Sequence, residues 1–258
     1  MTNASQRPVI LICNDDGVNA PGLKFLIDAV RIIGDVIAVA PTEPRSGQSS
    51  AISVGVPLRI MRRDDFDGAE VYAVNGTPVD CVKLAMHTVL KDRKIDIMLS
   101  GINHGSNAGN CVVYSGTMGA AIEACMLGIP AIGFSLLSHS WNADFTQCGP
   151  YVTGITERVL EHGLPKGICL NVNIPAECIP KGVKVARASE GYWTEEYVDY
   201  KDPMGKPFYL LSGKFIDTDR NRAETDNYWL DRNYVTVVPT RPDPTALDQI
   251  DHIERLLK

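Results

Sequence analysis

Two kinds of apolar pattern alternate along the first 175 residues of the chain. Val9–Cys13, Val36–Ala40 and Ile95–Leu99 are short, nearly continuous apolar runs of strand length, the pattern of strands covered on both faces. Between the first two, Leu23, Leu26, Ile27 and Val30 recur at helical spacing, with Pro21 in the first turn and Gly34 as the stop. Strand, helix and strand make a β-α-β unit, whose crossover is right-handed in a parallel sheet.

The alternation repeats. Glu70–Val74 reads as a strand, and Thr77, Pro78 and Asp80 stand at the N-cap, N1 and N3 positions of a helix running to Leu90. Val82, Ala85, Met86 and Val89 form its inward face. A Gly/Asn/Ser-rich loop is expected from Ser100 to Gly116. A helix follows over Thr117–Leu127, where Ala120, Ala121, Ala124 and Cys125 offer a small-residue face for close packing. Pro130–Leu136 and Ile168–Val172 supply further strands around a helix near Tyr151–Glu161. The expected fold class is α/β, a doubly wound and mostly parallel sheet.

Beyond residue 182 the pattern changes. Two of the three tryptophans and six of the nine tyrosines fall within Tyr192–Tyr234, mixed with charges and with few helical repeats. Such a segment reads as short strands or a long hairpin, and its aromatic content suits a subunit contact. A final helix is expected over Thr245–Leu257. The organisation is a catalytic core over 1–182 and a β-rich oligomerisation arm with a C-terminal helix over 183–258.

Composition narrows the function. The chain has 258 residues and a formal charge of −6, with 25 basic and 31 acidic side chains. That acidity argues against polymeric nucleic acid, which requires a broad basic face. Small phosphorylated ligands remain open if the site is built locally. Seven scattered cysteines without a C-x-x-C pair read as small buried hydrophobes in a reducing compartment. The polar stretch Met1–Pro8 lacks the apolar core of a signal peptide, and no apolar run reaches the roughly 20 residues of a membrane helix. A soluble, cytoplasmic protein without membrane contact is expected.

Ligands of open α/β sheets bind outside the carboxyl ends of the strands. Three polar loops follow core strands here: Asn14–Gly17, Pro41–Ser50 and Ser100–Gly116. In the first, Asp15 and Asp16 precede Gly17, so the chain can turn and both carboxylates can converge. Two close carboxylates require a raised pKa or a cation between them. The hydroxyls of Ser46–Ser50 and the amides of Gly101–Gly109 complete a set of hard oxygen donors, suited to Mg²⁺ or Mn²⁺ rather than zinc. Tyr114–Gly119 running into a helix offers backbone N–H groups and hydroxyls to a phosphate. The P-loop and G-x-G-x-x-G signatures are both missing.

Five stretches together resemble one family. They are Ile10–Gly22 (containing Asn14-Asp15-Asp16-Gly17), Ala40–Ser50, Asn75–Cys81, Ser100–Gly109 and Tyr114–Ala121. In order and motif by motif over about the first 135 residues, they are similar to the SurE family of metal-dependent 5'-nucleotidases. A looser likeness continues through Thr225-Asp226 and Asn233–Pro239. The resemblance implies a Rossmann-like core with an arm exchanged in a homodimer or homotetramer. It also implies one divalent metal ion per subunit, Mg or Mn, held by Asp15, Asp16, Ser46 and Asn103. Asn107, Ser115, Gly116 and Thr117 would bind the phosphate. The implied reaction is hydrolysis of nucleoside 5'-monophosphates, extending in some members to other small phosphomonoesters and short polyphosphate. Asp15 and Asp16 are the catalytic candidates, with Asp16, or else Asp15, orienting the water. Two rivals are a haloacid-dehalogenase-like phosphatase with an Asp nucleophile, although that family uses D-x-D, and a non-catalytic nucleotide or phosphate sensor.

Overall fold

The structure is a computed structural model that describes residues 7–258, so most of the polar N-terminal stretch, Met1–Gln6, lies outside the described residues. Its centre is a nine-stranded sheet in the order β3-β4-β2-β1-β5-β6-β7-β13-β8. The six middle strands are parallel: β4 (Glu70–Val74), β2 (Asp35–Pro41), β1 (Val9–Cys13), β5 (Ile97–His104), β6 (Ala131–Leu136) and β7 (Cys169–Ile174). Ile10 to Cys13 are fully buried, as the continuous apolar run requires. One face carries α1 (Pro21–Val30) and α4 (Gly149–His162), and the other α2 (Pro78–His87) and α3 (Gly116–Met126). The doubly wound α/β expectation therefore holds.

Helix α2 opens with the expected capping box: the Asp80 N–H donates to Thr77 Oγ1 at 3.1 Å, and the Thr77 N–H donates to Asp80 Oδ2 at 2.9 Å. It stops at His87 rather than Leu90, because Thr88 leaves the helical region at φ −116°, ψ −92°. In α3, Ala120, Ala121 and Ala124 are fully buried, which lets the helix lie close on the sheet.

Three features depart from the apolar pattern along the chain. The loop expected from Ser100 begins later, since β5 continues to His104 and pairs with β6 again after a register shift between Ser100 and Asn103. Gly101 permits this: its φ is +127°, and a Cβ there would lie 2.3 Å from the Phe134 carbonyl oxygen. The edge strand β3 (Ile60–Arg63), antiparallel to β4, escapes the apolar pattern because Met61 and Arg62 are exposed. Finally, the central sheet extends past residue 182. The strand β13 (Val235–Thr240) pairs antiparallel with β7, and β8 (Val183–Val185) runs parallel beside it.

What stands away from the sheet is narrower than the whole 183–258 segment. Two antiparallel pairs do so, β9 (Gly191–Thr194) with β12 (Lys214–Asp217) and β10 (Tyr197–Lys201) with β11 (Pro207–Leu211). Every residue of β10 and β11 is exposed. Helix α5 (Asp226–Leu230) leads back to β13. The C-terminal helix is shorter than expected, a 3-10 turn over Leu247–Gln249 followed by α6 (Ile250–Leu256). The cysteines are free thiols, five of them buried. Burial pushes the Cys148 and Cys169 thiols up to about 12. Among the described residues, no helix is long and apolar enough to cross a membrane.

Candidate active site

Strand order reverses at β1 and β5, with β2 on one side and β6 on the other, which places a crevice at their carboxyl ends. The loop after β1 turns at Gly17, whose φ of +95° an L side chain resists. It is stitched to the loop after β2, since the Arg45 N–H donates to the Asp15 carbonyl at 2.7 Å and the Val18 N–H to the Pro41 carbonyl at 2.8 Å. The second loop is in turn pinned to the start of α3: Ser49 Oγ donates to the Val113 carbonyl at 2.6 Å, and its N–H to the Tyr114 carbonyl at 3.1 Å. These bonds carry Ser46 to the crevice.

Asp15 is only 3% exposed and lies against the first turn of α3. Thr117 Oγ1 donates to its Oδ1 at 2.5 Å, and a Cβ on Gly116 would sit 2.9 Å from its Oδ2. Burial, followed by the neighbouring charge of Asp16, pushes the Asp15 carboxyl up to about 6, against the pull of the Thr117 hydrogen bonds. Half-buried Asp16 is also raised, mainly by burial, although the His104 N–H donates to its Oδ2 at 3.1 Å and the rings of His104 and His139 oppose the shift. Asn103 Nδ2 donates to the Gly105 carbonyl at 2.8 Å, so the amide is oriented with its nitrogen engaged and its oxygen left as a donor to a cation.

Ser115 caps α3 by accepting from the Met118 N–H at 3.0 Å. The Thr117 N–H faces Asp15 at the same helix start. Asn107 is held by its own N–H to Asn173 Oδ1 at 2.9 Å and by its Nδ2 to Ser135 Oγ at 2.8 Å. A cavity of about 850 Å³ is lined on one side by Asp15, Ser46, Asn103, Asn107 and Ser115, whereas Asp16, Gly116 and Thr117 lie outside its lining. Tyr192, Trp193 and Tyr197 line another side.

The donor set fits a hard divalent cation. Two carboxylates, both raised by burial, an oriented amide and a hydroxyl are hard oxygen donors, the kind a divalent cation selects. Among the described residues no group of three or more His, Cys, Asp or Glu side chains is placed to hold a metal ion, so the candidate set depends on the Asn103 amide and the Ser46 hydroxyl beside Asp15 and Asp16.

Three features of the site are set by the tertiary structure. The Thr117 hydroxyl serves Asp15 in this structure, where a phosphate contact was expected. His139, from the loop after β6, enters the cavity with no motif to mark it. Fully buried Asp226 accepts from the Gly109 N–H at 2.7 Å and the Ser189 N–H at 2.9 Å, tying the loop after β5 to the aromatic segment. The Thr225-Asp226 likeness was the sole signal for it.

Comparison with known proteins agrees with this architecture. The family model described as "Survival protein SurE" matches residues 10–195. The "5'-nucleotidase SurE" of Phocaeicola vulgatus is 45% identical over 249 residues, covering 96% of each chain. That of Christiangramia forsetii is 46% identical over 246 residues, covering 93% of this chain and 94% of its own. The crystal structure of the SurE protein from Aquifex aeolicus superimposes with a TM-score of 0.83 at 35% identity, covering 97% of this chain and all of its own. With a family model spanning most of its length and relatives of this identity across nearly all of it, the chain belongs to the SurE family.

Proposed function

We propose that the protein is a divalent-metal-dependent phosphomonoesterase that hydrolyses nucleoside 5'-monophosphates to nucleoside and phosphate. The observation that carries this reading is the Asp15–Asp16 pair: two carboxylates, both raised by burial, set at a strand-end crevice beside oriented oxygen donors. Asp15, Asp16, Ser46 and Asn103 would hold the ion, Mg or Mn. When bound, such an ion supplies Lewis-acid polarisation of the phosphoryl oxygen and lowers the pKa of water.

The chain's own groups account for the rest. Asp16, itself fixed by the His104 N–H, orients the attacking water and accepts its proton. The Gly116 N–H and Asn107 face the phosphoryl oxygens, where charge spreads in the transition state, while the helix start of α3 favours the anion. Ser115 and Thr117 support this end, Ser115 by capping the helix and Thr117 by holding Asp15. Activity on other phosphomonoesters or short polyphosphate would use the same phosphate end.

The exposed aromatic surface supports a homodimer or homotetramer built through the β9–β12 region. Tyr197, Tyr209 and Leu211 stand exposed on one face of the β10–β11 pair and Tyr200 and Phe208 on the other, apolar surface that a subunit contact would cover. We place the protein in the cytoplasm, in keeping with its free thiols.

The test is phosphate release from a panel of nucleoside monophosphates with Mn²⁺ and Mg²⁺. Release that EDTA abolishes and Asp15→Asn removes is expected. A phospho-aspartate trapped by mass spectrometry would favour a covalent phosphatase instead, and silence across the panel would favour a sensor. Sedimentation velocity of the purified protein checks the assembly, with a monomer contradicting it.

A further inference from the structure

The aromatic side of the cavity is not used by the phosphate chemistry. A volume of about 850 Å³ exceeds what a phosphate fills and lies in the range of sites that enclose whole small molecules. Resting on the phosphomonoesterase reading, we propose that this side is a subsite for the planar ring of the leaving nucleoside, with Trp193 as its stacking surface.

Trp193 is built to present a fixed ring. Its register partner across the β9–β12 pair is Phe215, whose ring meets it edge-to-face with centroids 5.7 Å apart at 64°. Its indole also meets the Cys111 side chain, on the 3-10 turn Gly109–Tyr114 that leads into α3. The ring is therefore held by protein at two contacts, while 39% of the residue stays open. An aromatic fixed in this way can meet a flat partner at little entropic expense.

The distance from this ring to the phosphate end is also fixed. Asn110 Nδ2 donates to the Gly191 carbonyl at 2.6 Å, and its N–H to the Ser189 carbonyl at 3.0 Å. One residue earlier, Asp226 accepts from the N–H groups of both Gly109 and Ser189. Thus the loop carrying Asn107 and the strand carrying Trp193 share one hydrogen-bonded knot, mostly buried. A substrate anchored by its phosphate would meet the aromatic wall at a set reach, as positioning requires. Stacking accepts any base, because every base has a π face, so breadth across nucleobases follows.

The experiment compares adenosine 5'-monophosphate with ribose 5-phosphate, which share the ester and differ by the base. The full-length protein should favour the nucleotide at least tenfold in kcat/KM. Trp193→Ala should lower that ratio about tenfold, through KM, and Trp193→Phe should keep most of it. An unchanged ratio in Trp193→Ala, with or without altered assembly in sedimentation, overturns the subsite and leaves Trp193 a packing residue. Should that variant not fold, competition on the unaltered protein decides: adenosine should inhibit ribose 5-phosphate hydrolysis where ribose does not, and equal weakness of the two overturns the proposal. Hydrolysis of both esters without preference sinks the subsite alone. Release from neither sinks the phosphomonoesterase reading beneath it as well.

Discussion

The hydroxyl of Thr117 donates a 2.5 Å hydrogen bond to the buried carboxylate of Asp15, 102 residues earlier in the chain. It joins the end of β1 to the first turn of α3, so the candidate metal end and the candidate phosphate end share one contact.

That contact makes Thr117 a positioning residue. Thr117→Val keeps the shape and removes the donor, leaving Asp15 to turn in its pocket. Mn²⁺ affinity, measured by titration calorimetry, should fall about 10- to 100-fold. Thr117→Ser should restore most of it, and a Val variant that binds Mn²⁺ normally would remove the hydroxyl from the site.

In the metal-free protein the contribution of Asp15 to stability should be larger at pH 4 than above pH 6. Asp15 binds its proton up to about 6 in the fold, against 3.8 for an unburied carboxyl. At this carboxyl the folded state therefore holds more protons than the unfolded chain between those values, so its contribution falls as pH rises through that window. The difference corresponds to roughly 3 kcal/mol as an upper figure. Asp15→Asn should raise the melting temperature of EDTA-treated protein at pH 8 by several degrees while removing activity. An equal or lower melting temperature would count against a buried, uncompensated charge.

Asp80 titrates with the opposite sign. Burial pushes its carboxyl up, but hydrogen bonds from Ser53 and Thr77 outweigh this and hold it below its ordinary value. Its contribution is present above the ordinary carboxylate pKa and is lost as pH falls through the depressed one. Asp80→Ala should cost about 1–2 kcal/mol at pH 7 in urea unfolding. The difference from the unaltered protein should shrink in acid.

Gly119 sets how closely α3 approaches the Ser46 loop. A Cβ there would lie 2.3 Å from the Ser49 carbonyl oxygen, so the loop must move. Gly119→Ala should cost about 1–3 kcal/mol and lower activity more than tenfold by shifting Ser46. Gly154, inside α4 with nothing within 4 Å of a Cβ, is the contrast. Gly154→Ala should stabilise by about 0.5–1 kcal/mol and leave turnover alone.

The parallel core was legible because buried strands must be apolar at nearly every position, and the α2 capping box because its residues are local in sequence. The loops carrying Asp15, Asp16 and Ser46 were legible because they follow core strands, whereas Asn103 lies inside β5. Less visible were elements whose stability comes from distant partners. The edge strand β3 is exposed and charged, β5 resumes pairing across Gly101, and β8 and β13 return to the sheet from the aromatic segment.

By itself, then, the chain's pattern determined which segments become sheet and helix and which loops reach the crevice, since periodicity and turn chemistry act over a few residues. Tertiary structure alone decided that Thr117 serves Asp15, that Asp226 knots Gly109 to Ser189, and that Trp193 faces the same cavity as Asp15. The contacts join residues up to 117 positions apart, and the cavity brings together residues 178 apart; only the folded packing of the sheet and its helices sets the burial and distance on which each depends.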